Sequence, residues 1–424
     1  MINNFKIKFF DNILSRKNGL SLNIISLMIC ILPLALITGP FLSDLIVSIV
    51  GIYFIVISIR NKLFRYYNYT IVKVFFVFYF IILTSSLISI NPLLSLESSL
   101  FYFRFIFFAL GVVYVLENNL NFLNNFKLFL YATLFFLVLD GFIQFIFGTN
   151  LVGYKIVGER VSSFFGEELV LGHYLVRIFP ILLSIFFITK FNGIKEIIFF
   201  TILSLSIFTL ILLSGDRSAF LLLIIQIFLL LILLKGYKSF RIVFFLASLT
   251  IFIGVIASSE IVKNRLVNST INQMGIEDSK LFIFSEYHER MFISATKMFI
   301  DKPILGHGPK TFRVLCMNDQ YYVQGGSCST HPHNTYIQLM AETGIMGTLI
   351  VIGVLAFTAY IFFKQFISLY LIKSKYNVED YKICLIVVVF LNLWPIIPTL
   401  NFFNNWISIL YFLPVGFLLS QNKS

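Results

Sequence analysis

LNIISLMICILPLALITGPFLSDLIVSIVGIYFIVISI, residues 22–59, holds a single charged side chain, Asp44. A Gly39-Pro40 pair divides it into two apolar runs, 22–39 and 41–59. Each is long enough to cross the hydrocarbon core of a bilayer as a helix. The cations Lys6, Lys8, Arg16 and Lys17 precede the first run and give it the outline of a signal peptide. No small-residue cleavage site follows, and the second run begins almost at once, so the first run predicts a retained helix.

The same pattern recurs along the chain. Further runs at 71–90, 97–116, 126–148, 168–189, 195–213, 217–234, 241–258, 345–363, 382–399 and 403–420 bring the expected spans to twelve. The composition agrees, with 58% hydrophobic and 12% charged residues against about a quarter charged in soluble domains. The expected fold is an all-α polytopic membrane protein. Alternation of the kind that marks a lipid-facing barrel strand is missing.

The net charge of +12 is spread between the apolar runs, which disfavours nucleic-acid binding. With the N-terminus inside, Arg60, Lys62, Arg65, Lys127, Lys190, Lys235, Lys238, Arg241, Lys364, Lys373, Lys375 and Lys423 all fall on the inner side. The short outer loops near 40, 92 and 400 carry no cation, and this asymmetry sets the orientation, with both termini cytoplasmic. Residues 259–344 then form one large extracytoplasmic loop between spans 9 and 10. The expected divisions are 1–258, 259–344 and 345–424.

That loop is not low-complexity. SEYHERMFISATKMFI (285–300) reads as an amphipathic helix, and DKPILGHGPKTF (301–312) as a turn broken by Pro and Gly. Cys30 and Cys384 fall in spans as apolar fillers. A disulfide between Cys316 and Cys328 is preferred to two free thiols on an oxidising face. Zinc is disfavoured because no CxxC or HxxxH spacing accompanies them.

The polar residues gather in HPHNTYIQLMAETGIMGTL (331–349), just before span 10. Residues 335–343 read as a short helix stopped at Gly344, and Gly344 and Gly347 suit close packing of the next helix. His333 would stand at the N-terminal end, where the helix dipole keeps imidazole neutral and able to accept a proton. A capping surface histidine is the plainer reading. Arg104 and Asp140 lie near the outer ends of their spans and form either a structural pair or, for Arg104, a phosphate contact. His173 and Arg177, one turn apart, could line the same cavity, and Arg160 sits in the second outer loop. Glu342 is too far along the helix to orient His333 and suits a local structural role. His331 neighbours the base, while His288 and His307 have no assignment. Asp44, the lone acid of the first outer loop, makes a poor metal site.

His333-Asn334, nine residues and Gly344-x-x-Gly347 resemble the pattern of the O-antigen ligase/polymerase superfamily. LLSGDRSAF (212–220) resembles its outer turn bearing an arginine, here Arg217, and ERMFISATKMFIDKPILGHGPKTF (289–312) its arginine helix and Gly-x-Gly-Pro turn, with Arg290, Gly306, Gly308 and Pro309. The likeness is close over roughly 200–350. In the first half only the span count and DGFIQFIFGTNLVG (140–153) share it.

The resemblance implies a bacterial inner-membrane glycosyltransferase. It would move a glycan from undecaprenyl diphosphate to an acceptor sugar hydroxyl, such as lipid A-core, at the periplasmic face. His333 would be the base. Arg217 and Arg290 would clamp the diphosphate, a task guanidinium performs bidentately. Arg160, Arg104, Asn334, Gly306 and Gly308 would add substrate contacts. The reaction would invert the anomeric carbon without metal or cofactor. Rival readings are an O-antigen or exopolysaccharide polymerase, a protein-glycosylating ligase and, more remotely, a polysaccharide transporter or flippase. Transport is disfavoured because neither repeated halves nor broken spans are visible.

Overall fold

The computed structural model describes residues 19–190, 193–274, 282, 284–372 and 376–420. Lys6, Lys8, Arg16, Lys17, Lys373, Lys375 and Lys423 lie outside the described residues. In the quoted stretch, Gly39 at φ +123° and Pro40 at the first helical position end α1 (Leu20–Thr38) and start α2 (Pro40–Arg60). There follow α3 (Thr70–Leu87), α4 (Pro92–Ser99), α5 (Arg104–Asn118), α6 (Phe122–Phe147), α7 (Leu171–Thr189), α8 (Ile194–Leu213), α9 (Arg217–Leu233) and α10 (Lys238–Ser258). After a short irregular helical segment, Glu260 to Gln273, come α11 (Glu286–Asp301), α12 (Thr335–Tyr370), α13 (Asp380–Asn392) and α14 (Asn405–Leu419). The described residues form helices and no strand beyond two isolated bridges within 149–160.

Among the described residues, nine helices are long and apolar enough to cross a membrane, α4 and α5 counting together. The other three expected spans are shorter: α9 has 17 residues, α14 has 15 and α13 has 13. The run expected as a span at 382–399 is helical only to Asn392. Pro395 and Pro398 remove two backbone donors and end it. The chain therefore does contain a broken span. Its irregular stretch, 393–404, is satisfied by the first turns of α12. Tyr336 Oη donates to Leu393 O, Asn334 Nδ2 to Pro395 O at 2.8 Å, and Gln338 Oε1 accepts from Phe402 N at 3.0 Å. Non-helical backbone at this depth persists only when the protein supplies such partners.

Close approach holds the bundle together where lipid offers no hydrophobic drive between helices. A Cβ on Gly111 of α5 would come within 2.7 Å of Val50 Cγ1 on α2, and one on Gly416 of α14 within 2.7 Å of Val112 Cβ. α7 is the most enclosed helix, and α13 packs on it. α10 is the exception, with Ser248 its one buried residue.

The 259–344 segment caps one end of the bundle with its own small core. Met291, Ala295 and Met298 on one face of α11 pack against Phe312, Leu315, Tyr321 and Ala341. Cys316 and Cys328 are joined by a disulfide with Cα atoms 5.3 Å apart. α12 kinks at Gly344, whose φ of +63° and ψ of −167° interrupt the helix. Four backbone bonds fasten the turn 303–308 to this kink: His307 N to Ala341 O at 3.0 Å, Gly308 N to Glu342 O at 2.8 Å, Ile345 N to Pro303 O at 2.8 Å and Met346 N to Ile304 O at 3.3 Å. A side chain at Gly344 would collide with the backbone of Ile304 and Leu305.

Candidate active site

The site is built where the cap returns to the bundle. Asn334 caps α12: its Oδ1 accepts from Tyr336 N at 3.0 Å and Ile337 N at 3.2 Å. Its side-chain amide is thereby engaged with the helix and with Pro395 O. One residue earlier, His333 has a left-handed backbone, φ +55°, and its carbonyl accepts from Thr399 N at 2.8 Å. The ring is half-buried, with Nε2 3.2 Å from Ser329 Oγ. Burial draws its pKa below the ordinary 6.5, against the pull of the Thr399 carbonyl, so the imidazole is neutral near pH 7.

Two further histidines flank it, with ring centroids at 4.1 Å for His331 and 5.6 Å for His288. His331 is pinned by Thr399 O and Thr330 Oγ1, both at 3.0 Å from its ring nitrogens. His288 reaches across from the first turn of α11, its Nδ1 2.7 Å from Ser285 Oγ. Burial, then the neighbouring His333, lowers both to about 4, and Arg217 adds to the effect on His288. Arg217 of the α8–α9 turn is thus among the charges that act on His288.

That turn gathers cations. Gly215, at φ +61°, has the stems of Arg160 and Arg265 on either side: a Cβ there would stand 3.2 Å from Arg160 Cγ and 3.1 Å from Arg265 Cγ. Arg160 donates to Ser214 O and Leu169 O and pairs with Asp216 Oδ2 at 3.3 Å. Arg217 donates to Ser269 O at 3.2 Å and to Gln273 Oε1. Arg265 Nε is buried with no hydrogen-bond partner among the described residues. Burial first, and Arg265 as well, draws the Arg160 pKa below the guanidinium range, with Asp216 opposing. Three guanidiniums against one carboxylate leave a surplus that an anion would relieve.

Asp216 also caps α9 through Ala219 N and stands 3.4 Å from His173 Nε2. Arg177 in turn bonds His173 Nδ1 at 2.6 Å and Asn392 Oδ1 at 2.7 Å. His173 and Arg177 therefore brace the turn from beneath.

Other sequence candidates lie elsewhere. Arg290 is two residues from His288, roughly 200° around α11, and bonds Glu286 and the carbonyl of Gly325 in the disulfide loop. Arg104 pairs with Asp44 at 2.8 Å, so the Arg104–Asp140 pair is not formed. Asp140 instead organises the second loop, accepting from Leu151 N at 2.9 Å, Asn150 Nδ2 at 3.1 Å and Ser163 Oγ at 2.7 Å. Gly306 and Gly308 are buried, and a Cβ on them would strike the Glu342 backbone and Ser89, so both positions allow a close approach of the turn to its neighbours. A Cβ on Gly347 would crowd Thr343 of its own helix and come 3.6 Å from Phe78 of α3. Glu342 is buried, accepting from Phe312 N at 3.2 Å and Gln338 Nε2 at 2.9 Å. Arg265 and His288 were missed as contributors; nothing in the local pattern marks them.

The fold is that of a polytopic helical membrane protein, with a cluster of histidines and a cluster of arginines under a cap at one end of the bundle. Residues 201–352 match the O-Antigen ligase family. The matched stretch contains Arg217, Arg265, His288, Arg290 and His333, and omits Arg160 and Arg104. The chain has no match among curated proteins.

Proposed function

We propose that this chain transfers a glycan from a polyprenyl diphosphate to a sugar hydroxyl, with lipid A-core as the acceptor, at the periplasmic face of a bacterial inner membrane. The family match supports a ligase- or polymerase-type function and lipid-linked glycan substrates in general. The finer reading is supported by two features together: a half-buried, neutral His333 packed against His288, and a three-arginine cluster at the α8–α9 turn with a net positive surplus. A base and an anion clamp are the two parts that displacement of a diphosphate requires.

In the proposed step the acceptor oxygen attacks the anomeric carbon as its bond to the diphosphate oxygen breaks. The bonding pair leaves with the diphosphate, whose charge is met by Arg217, Arg160 and Arg265. Arg290, held by Glu286 and Gly325, would have to leave both and turn toward the cluster to add a fourth guanidinium. The acceptor proton passes to His333. Attack opposite the leaving group inverts the carbon, and the arginines take the electrostatic part a metal would play.

The test is the glycan profile of a strain lacking the chain. Uncapped lipid A-core with accumulated lipid-linked polymer is the expected result. Accumulated single repeat units would assign a polymerase, and loss of protein-linked glycan alone a protein ligase.

A further inference from the structure

α11 ends in a turn whose apolar side chains have no place in the cap. Ile300 and Ile304 bracket Asp301, Lys302 and Pro303 and are 71% and 64% exposed. The cap's own core is built on Met291, Ala295 and Met298, on another face of the same helix. A single exposed isoleucine needs no explanation, but these two adjoin further apolar surface.

The turn is tied to two helix ends that carry exposed apolar side chains. Ile345 N and Met346 N of α12 donate to Pro303 O and Ile304 O, and Ser85 Oγ of α3 donates to Leu305 O at 2.6 Å. A Cβ on Gly308 would stand 2.6 Å from Ser89, just past the end of α3. α12 is long and apolar enough to cross the membrane, and beyond its kink Ile345, Met346, Leu349 and Ile352 are exposed. Leu87, Ile88 and Ile90 at the end of α3 are exposed as well. One apolar belt therefore runs from α3 across the turn to α12. The polar residues of the turn fit a boundary at this level. Tyr321 Oη donates to Asp301 Oδ2 at 2.8 Å and draws that carboxylate into the cap. Lys302 is exposed, and its stem can lie along apolar surface with the ammonium among lipid headgroups.

We propose that the turn 300–304 is a foot of the cap that docks into the bilayer leaflet on the cap's own side. Ile300 and Ile304 lie among the upper acyl segments and Lys302 at the lipid phosphates. Lipid is the partner because the belt continues onto the exposed side of a membrane-spanning helix. Such a seat adds the bilayer to the backbone bonds that hold the cap at the α12 kink, and it would serve whatever glycan the chain transfers.

The test is tryptophan fluorescence of the full-length chain in nanodiscs whose phosphatidylcholine carries bromine on its acyl chains. Ile300→Trp and Ile304→Trp replace exposed side chains, and Leu349→Trp marks lipid contact on α12. Gln324→Trp, exposed in the disulfide loop, controls for the pull of indole itself towards lipid. Trp394 and Trp406 give a background that is read from the unsubstituted chain. Both foot variants should lose fluorescence to the bromines as Leu349→Trp does, at a depth of about 5–10 Å into the headgroup and acyl boundary, and should resist acrylamide. Quenching by acrylamide in place of bromine, or bromine quenching no stronger than that of Gln324→Trp, would overturn the foot. So would protection from both quenchers, which would mean that protein covers the turn, as in contact between two copies of the chain.

Discussion

His333 holds an uncomfortable backbone, and the discomfort separates its structural from its chemical part. At φ +55° an L-residue with a Cβ costs roughly 1–2 kcal/mol relative to glycine. His333→Gly should therefore unfold at higher temperature than His333→Ala, while both lose turnover by about 10²–10⁴-fold, the usual worth of positioned proton transfer. Because burial lowers the His333 pKa, the acidic limb of the pH profile should lie below 6.5 and vanish in both variants. Unchanged pH dependence would remove the base. The arginines differ in their partners: Arg217 is held by the neutral acceptors Ser269 O and Gln273 Oε1, whereas Arg290 is engaged with the carboxylate of Glu286 and with Gly325 O. In transfer assays Arg217→Lys should lose more activity than Arg290→Lys, since ammonium cannot form the bidentate fork. The reverse order would centre the clamp on α11. At this scale the sequence was legible where spacing is local, as in His333, Asn334 and Gly344. Arg265, His288 and the Asp44–Arg104 pair depend on how distant segments meet, which no local pattern encodes.

Among the elements, the first turns of α12 carry the most consequence. Asn334 caps this helix and also holds the proline-broken stretch through Pro395 O. Asn334→Ala should cost about 1 kcal/mol of stability for the cap alone. Asn334→Asp keeps the cap acceptor but not the donor to Pro395, so it should recover thermal stability better than turnover. Equal recovery of both would make the residue a simple cap. The 335–343 helix and its glycine stop were readable from Tyr336, Leu339 and Met340 and from Gly344. The continuation of α12 to Tyr370 extends past the expected end at 363, because helix formers with no breaker follow it. Pro395 and Pro398 were visible in the 382–399 run, but its hydropathy outweighed them in the span assignment.

For the whole molecule, hydropathy made the helical membrane class plain, since runs of this length and polarity have no other stable solution. It was less decisive on number, because α9, α13 and α14 are apolar yet short of a full crossing. The site was legible as an end of the bundle but not as an assembly. The proposed chemistry places all leaving-group stabilisation on side chains, and Asp44 is occupied by Arg104. Activity of the purified chain should accordingly survive EDTA. Abolition by EDTA with rescue by magnesium would overturn the metal-free mechanism.

The turn 303–308 is fastened to the α12 kink by four backbone bonds, each worth roughly 0.5–1.5 kcal/mol net. Lifting this side of the cap would break all four together, so it is a fixed jaw and not a lid. On the proposed function, only the sugar joined to the diphosphate has to reach the arginines, and the rest of the polymer can lie outside the cap, whatever its length. Commitment to reaction would come from alignment at the arginines and His333, without a closing motion to count residues in the chain. A site fixed in this way is indifferent to cargo size, which suits a catalyst that must transfer short and long glycans alike.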